Sequence, residues 1–586
     1  MMILSFLTLL YLSTTLLSIL GEETTVCSSP EADNPPLALH SAPFVKPQIL
    51  LNGKVLEITD ESEMKVKPVY GCCTSIKSKK EQSCMNKDWD KTVIGSIPQM
   101  ATHDALSLLT SAKRAWDGGS GVWPQMSLKN RIEAVESFFQ ELAKKRTDIV
   151  NVLMWEIGKN RKDAEAEFDR TVSFAQQMID AIKSPSNADF NGEWISVGKT
   201  RAFVRRAAIG IILCLGPFNY PLNETYATLI PALLMGNIVI LKIPTVGGLT
   251  HLLTMEAFAR ALPPGAIHFI SGSGRDTIPP LMKTGDIDGL AFIGGSSAAD
   301  SLIKDHPHPH RLKIFLQLEA KNMAIFLPDM FHEMNTDVLE RSLEETVAGT
   351  LSYNGQRCTA LKIIFVPKEH AQHFVSKFVP KVEELRVGMP WQTWDNNETY
   401  SQITPLPNDQ RVSYMKQLIE DAASKGASII NANGGSVIGG SHSTLMIPAV
   451  LYPVDEAMKV YAEEQFGPIV PIVTYDSIDA VISYGREGMY GQQCSVFTTE
   501  EGSDVAGSLL DRFSSVFGKI NINLQCGRSP DTLPFSGRRS SAMGVMSVTD
   551  ALKEFSVPTV VSYKEDGLSE KVVSKIEKTS NFLAKL

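Results

Sequence analysis

Cysteine is scarce in this chain: 586 residues contain eight. That count excludes a disulfide-built scaffold. Only Cys72, Cys73 and Cys84 cluster, and neither a CxxC spacing nor a neighbouring histidine completes a four-ligand metal site. A long basic block is also missing. Lysine and arginine are dispersed and the net charge is −9, so nothing points to nucleic acid. There is no GxGxxG, so the textual form of a dinucleotide fingerprint is absent. The first 20 residues carry no charged side chain, and no Lys or Arg precedes their apolar run. The usual basic flank of a secretory leader is therefore lacking.

What is present describes an ordinary globular chain. Apolar residues make up 43% and charged residues 21%, enough for a large core. The length fits two to four domains of about 150 residues. Met1 to Leu20 reads as a targeting segment for an organelle or the secretory route, or as a membrane anchor. With a proline-containing linker it occupies residues 1–44. Ile49 to Val55 carries the hairpin signal Asn52-Gly53, and Ser75 to Lys91 is polar and Lys-rich, as an exposed insertion would be. Thr102 to Trp116, Leu128 to Leu153 and Glu156 to Ile182 repeat apolar residues at helical spacing. From Ile209 the period changes. Ile209 to Leu215, Asn237 to Leu241, Ala266 to Ile270 and Gly289 to Ile293 are short Ile/Val-rich runs separated by helical stretches. That alternation predicts a doubly wound parallel sheet, which binds ligands beyond the carboxyl ends of its strands. His306 to His310 alternates with proline and reads as a polar loop. Val557 to Tyr563 is a final strand, and the charged tail after it is expected to be mobile.

One stretch stands apart, LSYNGQRCTAL at 351–361. It places Cys358 on a short loop between a helix-like run and the strand-like Lys362 to Val366. A cysteine beside a cationic Arg357 is where a lowered thiol pKa is expected, and the thiolate is a nucleophile.

LGPFNYPLN (215–223), LKIPT (241–245), FIGGSS (292–297), NGQRCT (354–359), EEQFGPIVP (463–471) and PFSG (534–537) occur together in one order. On these motifs the chain resembles the aldehyde dehydrogenase superfamily over residues 45 to 565. Within it, the chain is most similar to the non-phosphorylating, NADP-dependent glyceraldehyde-3-phosphate dehydrogenases. The resemblance implies an α/β fold with a doubly wound cofactor domain (45–315, with bridging strands near 185–205) and an α/β catalytic domain (316–505). A return to the cofactor domain with a last bridging strand (506–565) and a tail (566–586) follow. It implies a homodimer or homotetramer, and NADP as cofactor with NAD as the other option. Cys358 matches the nucleophile and Asn219 the oxyanion-stabilising amide. Pro217, Phe218, Lys242, Thr245, Gly294, Gly295, Glu464 and Phe466 match cofactor positions. Arg170, Tyr220, Arg357 and Arg528 match the set that holds a substrate phosphate, and guanidinium forks suit phosphate oxygens. The implied reaction is oxidation of glyceraldehyde 3-phosphate to 3-phosphoglycerate through a thiohemiacetal and a thioester.

One departure stands out. Where the family has its water-activating glutamate, this chain has Gln317, in LQLEAK (316–321). An amide takes no proton from water at neutral pH. Glu319, two residues on, is the expected replacement. The alternatives are transfer of the acyl group to coenzyme A, or a member without activity.

Overall fold

The computed structural model describes residues 42–586 except 61, 63, 77–88, 396–398, 440–441 and 585. The expected targeting segment therefore lies outside the described residues. Among those described, no helix is long and apolar enough to cross a membrane.

Two sheets position everything else. In the first, the strands Ile211–Leu215, Ile238–Lys242, Ile267–Ile270, Gly289–Ile293 and Lys313–Gln317 run parallel. Their β-branched side chains are buried on both faces, as helix-covered parallel strands require. The chain moves outward from Ile211–Leu215 to Ile267–Ile270, then returns to lay Gly289–Ile293 on the other side of Ile211–Leu215. That reversal opens a crevice at the strand ends. The loops beyond those two neighbouring strands carry Pro217 to Tyr220 and Gly294 to Ser296.

The second sheet has seven strands. Its centre is Asn322–Phe326 and Leu361–Pro367, both wholly buried. Met323 and Ile325 face one core, Ala324 and Phe326 the other, as the two-residue period of a strand dictates. The first sheet ends at Gln317 and the second begins at Asn322, so the expected boundary at 316 falls inside a strand. The catalytic layer also extends past 505, because Lys519–Ile522 is its edge strand.

A three-stranded antiparallel sheet joins Glu193–Val197, Thr200–Ala207 and Val557–Lys564, where bridging strands were expected. The Asn52-Gly53 hairpin forms between Gln48–Leu51 and Lys54–Glu57 with both turn residues in the left-handed region. The single helix expected over 128–153 is two, Leu128–Ala143 and Arg146–Ile157. The polar-loop reading of 306–310 misses His306, which is buried with Nε2 3.1 Å from the Ile287 carbonyl. The expectation of a mobile tail is also corrected. Gly567–Ile576 is helical, and Arg205 Nη1 donates to the carbonyls of Phe582 (2.6 Å) and Ala584 (3.2 Å). A guanidinium that burial would otherwise penalise thereby gains two acceptors.

Candidate active site

Three consecutive residues with positive φ, Tyr353 (50°), Asn354 (56°) and Gly355 (67°), bend the chain sharply before Cys358. Left-handed Tyr is unfavourable by itself, so the neighbours must hold it. Tyr353 donates its hydroxyl to Ile157 O at 3.0 Å. The Asn354 amide donates to Thr404 O and accepts from Thr404 N at 3.0 and 2.9 Å. A Cβ at Gly355 would sit 2.8 Å from the carbonyl oxygens of Thr350 and Gly467. Beyond the cysteine, Asn322 Nδ2 donates to Cys358 O and Ala360 O at 2.8 and 3.0 Å. Lys362 Nζ donates to Gly355 O and Gln465 O at 2.7 and 2.9 Å. Every side of the nucleophile loop is fastened to a different element.

Asn219 arrives from the first sheet. It is buried, and its Nδ2 donates to Gln356 O at 2.8 Å, two residues before the cysteine. The loop carrying it is clamped by Glu167, whose Oε1 accepts from the backbone N–H groups of Leu222 (3.0 Å) and Asn223 (3.2 Å). Glu167 is wholly buried and pairs with wholly buried Lys159. The Lys159 ammonium lies 3.2 Å from the centre of the Tyr220 ring and 4.8 Å from that of Tyr353. Neither Lys159 nor Glu167 was singled out from sequence. Spacing alone makes the Arg161–Lys183 helix a surface helix, and only the tertiary contact shows that one of its acids points inward.

A cavity of about 350 Å³ opens beside the nucleophile. Cys358, Arg170, Tyr220, Arg357 and Arg528 all line it, together with Glu224, Lys519 and Cys526. The four expected anion-binding residues are thus brought together with the cysteine. Arg170 forks onto Asp531 at 2.7 and 3.1 Å. Arg528 reaches Glu224 at 2.7 Å and Asp531 at 3.1 Å. Arg357 Nε and Arg528 Nη2 are buried without a hydrogen-bond partner.

The charge environment of the thiol corrects the first expectation. Burial pushes the Cys358 thiol up to about 12, with Glu224 and Glu464 adding to the effect and Lys362 opposing it. Arg357 turns its Nη2 to Ala348 O and Gly349 O at 3.2 and 3.1 Å. Burial outweighs the nearby cations at the sulfur.

Glu319 is the second correction. Its Oε2 accepts from Ser296 N at 2.9 Å, at the start of the Ser296–Asp305 helix, and its Oε1 lies close to Gly295. The carboxylate caps that helix on the first sheet and does not line the cavity at Cys358. Gln317 is buried with both amide atoms unpartnered.

A larger cavity, about 1250 Å³, lies at the crevice of the first sheet. Thr245 and Gly295 line it, with Gly272 to Arg275 and, from the Val66–Ile76 strand, Lys67 to Cys72. Gly294 donates its N–H to Gln317 O at 3.1 Å, which extends the pairing of two neighbouring strands of the first sheet. Lys242 is buried at its strand end, with Nζ on Ile243 O at 2.5 Å, and burial lowers it to about 8. Pro217 leads into Phe218, whose ring meets Phe466 edge-on at 5.8 Å. Arg411 stacks over Phe218 at 4.9 Å. Glu464 is buried against Lys362 at 4.0 Å, its Oε1 is unpartnered, and burial raises it to about 7. A buried carboxylate oxygen with no donor calls for one from a ligand, and a ribose hydroxyl would supply it. The residues present thus fit a dinucleotide.

The comparisons agree with this geometry. The model of the Aldehyde dehydrogenase family matches residues 75–561. An NADP-dependent glyceraldehyde-3-phosphate dehydrogenase of Streptococcus equinus is 32% identical over 459 residues, covering 78% of this chain and 90% of that protein. The enzyme of the same description from Arabidopsis thaliana is 26% identical over 86% of this chain and 94% of its own length. The crystal structure of NADP-dependent glyceraldehyde-3-phosphate dehydrogenase from Bacillus halodurans C-125, complexed with NADP, superimposes with a TM-score of 0.76 at 27% identity. It covers 89% of this chain and all of that one. With a family match spanning most of its length and Asn219 tied to the loop that carries Cys358, the chain belongs to the aldehyde dehydrogenase family.

Proposed function

We propose that the protein oxidises glyceraldehyde 3-phosphate to 3-phosphoglycerate with NADP. The observation that carries this reading is the convergence of Arg170, Tyr220, Arg357, Arg528 and Lys519 on the cavity that holds Cys358. Three guanidiniums and an ammonium face two carboxylates, Glu224 and Asp531, so the wall keeps an excess of positive charge. The unpartnered N–H groups of Arg357 and Arg528 await an acceptor, and a phosphate offers several. An aldehyde two carbons from that phosphate would reach Cys358 across the cavity.

The residues divide the work as follows. Cys358 Sγ attacks the aldehyde carbon. One N–H of Asn219 is taken by Gln356 O, and the other is available to the developing oxyanion. The thiol proton has to leave a site that disfavours the thiolate, so substrate and cofactor binding must supply what the protein alone does not. When bound, the cofactor supplies the hydride acceptor. Glu464 and Lys242 would hold its riboses, and Thr245, which lines the larger cavity, would meet an extra phosphate on the adenosine ribose. The exposed apolar residues Ile195, Val197, Val557 and Val560 support association of copies through the bridging sheet.

The test compares NADPH formation from glyceraldehyde 3-phosphate with that from unphosphorylated glyceraldehyde. The phosphate is expected to raise kcat/KM by at least about 10²-fold, the worth of two charge-assisted hydrogen bonds. Equal values would sink the phosphate assignment. The absence of a carboxylate at Gln317 favours one second reading, acyl transfer to coenzyme A. Turnover that requires coenzyme A would establish it in place of hydrolysis.

A further inference from the structure

Hydrolysis of an acyl-cysteine needs a group that takes a proton from water, and Gln317 cannot be that group. Four carboxylates come into the comparison, and Asp531 is held on both oxygens by Arg170 and also by Arg528. Glu319 is turned to the Ser296 amide. Glu464 is packed under Lys362 and does not line the cavity at the cysteine. Glu224 is placed differently. It is the one carboxylate among the residues that line that cavity with Cys358. Its side chain keeps 15% of its surface exposed, so water reaches it.

The Asn223–Leu234 helix delivers Glu224 one turn beyond Tyr220, and Glu224 N donates to Tyr220 O at 3.1 Å. The carboxylate is therefore fixed to the same segment that carries Asn219, the oxyanion donor. Its Oε1 accepts from Arg528 Nη1 at 2.7 Å. Its second oxygen has no hydrogen bond to any described residue.

We propose that Glu224 is the base that activates water for discharge of the Cys358 thioester. The inference rests on the reading above in so far as the acyl group goes to water. A water in the cavity gives one proton to the free oxygen of Glu224 while its oxygen bonds to the thioester carbon. The carbonyl electron pair moves onto the oxyanion facing Asn219. Collapse of that intermediate breaks the C–S bond and leaves a carboxylic acid and the Cys358 thiolate, which takes the acid's proton so that a carboxylate product and the thiol remain. The proton on Glu224 then passes to solvent through the open cavity. No oxidant or reductant enters the step.

Arg528 ties this to the substrate. It is both a wall of the anion site and the partner of Glu224. A bound phosphate competes for the guanidinium and frees the Glu224 oxygen that Arg528 holds.

The experiment is rapid mixing of the full chain with NADP and glyceraldehyde 3-phosphate, for wild type and Glu224→Gln. The glutamine keeps the shape and removes the proton acceptor. The variant is expected to release a first equivalent of NADPH at a rate within about threefold of wild type. Its steady rate should fall about 10²–10⁴-fold, the usual worth of a general base. Acid quenching followed by peptide mass spectrometry should find the acyl adduct accumulated on Cys358. An unchanged steady rate overturns the proposal, as does a change confined to KM, which would make Glu224 only a tuner of the anion site. Loss of the first turnover in a variant that melts like wild type overturns it too, because Glu224 would then act before the thioester. If wild type gives no NADPH with glyceraldehyde 3-phosphate, the substrate reading fails separately. The same comparison with propanal then still decides the role of Glu224.

Discussion

The segment around Cys358 leads into the second sheet and the segment around Gln317 ends a strand of the first, and they are built to different standards. The first is over-determined: Tyr353, Asn354, Asn322 and Lys362 each fasten it with hydrogen bonds of 2.7–3.0 Å. The second leaves a buried amide without partners and spends its nearest carboxylate on capping a helix. Natural proteins leave few buried side-chain polar atoms unpaired. The difference teaches that the loop carrying Cys358 is held rigidly, whereas the position of Gln317 offers neither a carboxylate nor a settled hydrogen-bond pattern.

The strongest way to break that comparison is Cys358→Ser. It should abolish NADPH formation with every aldehyde while leaving the melting temperature within a few degrees, as measured by absorbance and calorimetry. Residual turnover would place the nucleophile elsewhere. Glu167→Gln comes next. It strands buried Lys159 and unties Leu222 and Asn223, and breaking a buried ion pair on one side costs about 3–5 kcal/mol. Urea unfolding should register that loss. A loss under 1 kcal/mol would show that the pair does not support the Asn219 loop. Asn219→Ala should lower kcat by about 10²–10³ with little change in stability.

A gentler probe is alkylation of the protein alone by iodoacetamide. Burial has raised the thiol to about 12, so only roughly one thiol in 10⁵ is ionised at pH 7. The rate at Cys358 should climb about tenfold per pH unit from 7 to 10. A plateau near neutrality would mean that Arg357 acts on the sulfur after all. The smallest effect sharpens the contrast from the other side. Glu319→Gln should keep the steady rate within about threefold and reduce stability by about 1 kcal/mol through the weakened helix cap. A collapsed steady rate would return the base to this segment.

Much of this was legible from residues alone, and what was not has a common cause. The parallel sheets announced themselves because strands buried on both faces are written in Ile and Val. The cysteine, the amide and the arginines were found because short motifs survive as strings. Lys159, Glu167 and Glu224 were not found, since each is a charged residue on or beside a helix and the string does not say which way it turns. Glu319 shows the complementary case: it stands two residues from Gln317 along the chain, and backbone direction turns its side chain to Ser296. The boundary at 505 failed because Lys519–Ile522 is only four residues long and half-polar, too little to signal an edge strand.

The bridging sheet has a consequence for how the chain is made. Thr200–Ala207 pairs with Val557–Lys564 in an unbroken eight-residue register, and about 350 residues separate the two strands. At ribosomal rates of 5–20 residues per second, the earlier strand waits roughly 20–70 s for its partner. Its hairpin with Glu193–Val197 is marginal by itself, and Arg205 lacks its acceptors until Phe582 and Ala584 emerge. The strand Val557–Lys564 therefore closes an edge that stands open until that strand is made. A nascent chain stalled before residue 557 should be the form that chaperones recognise.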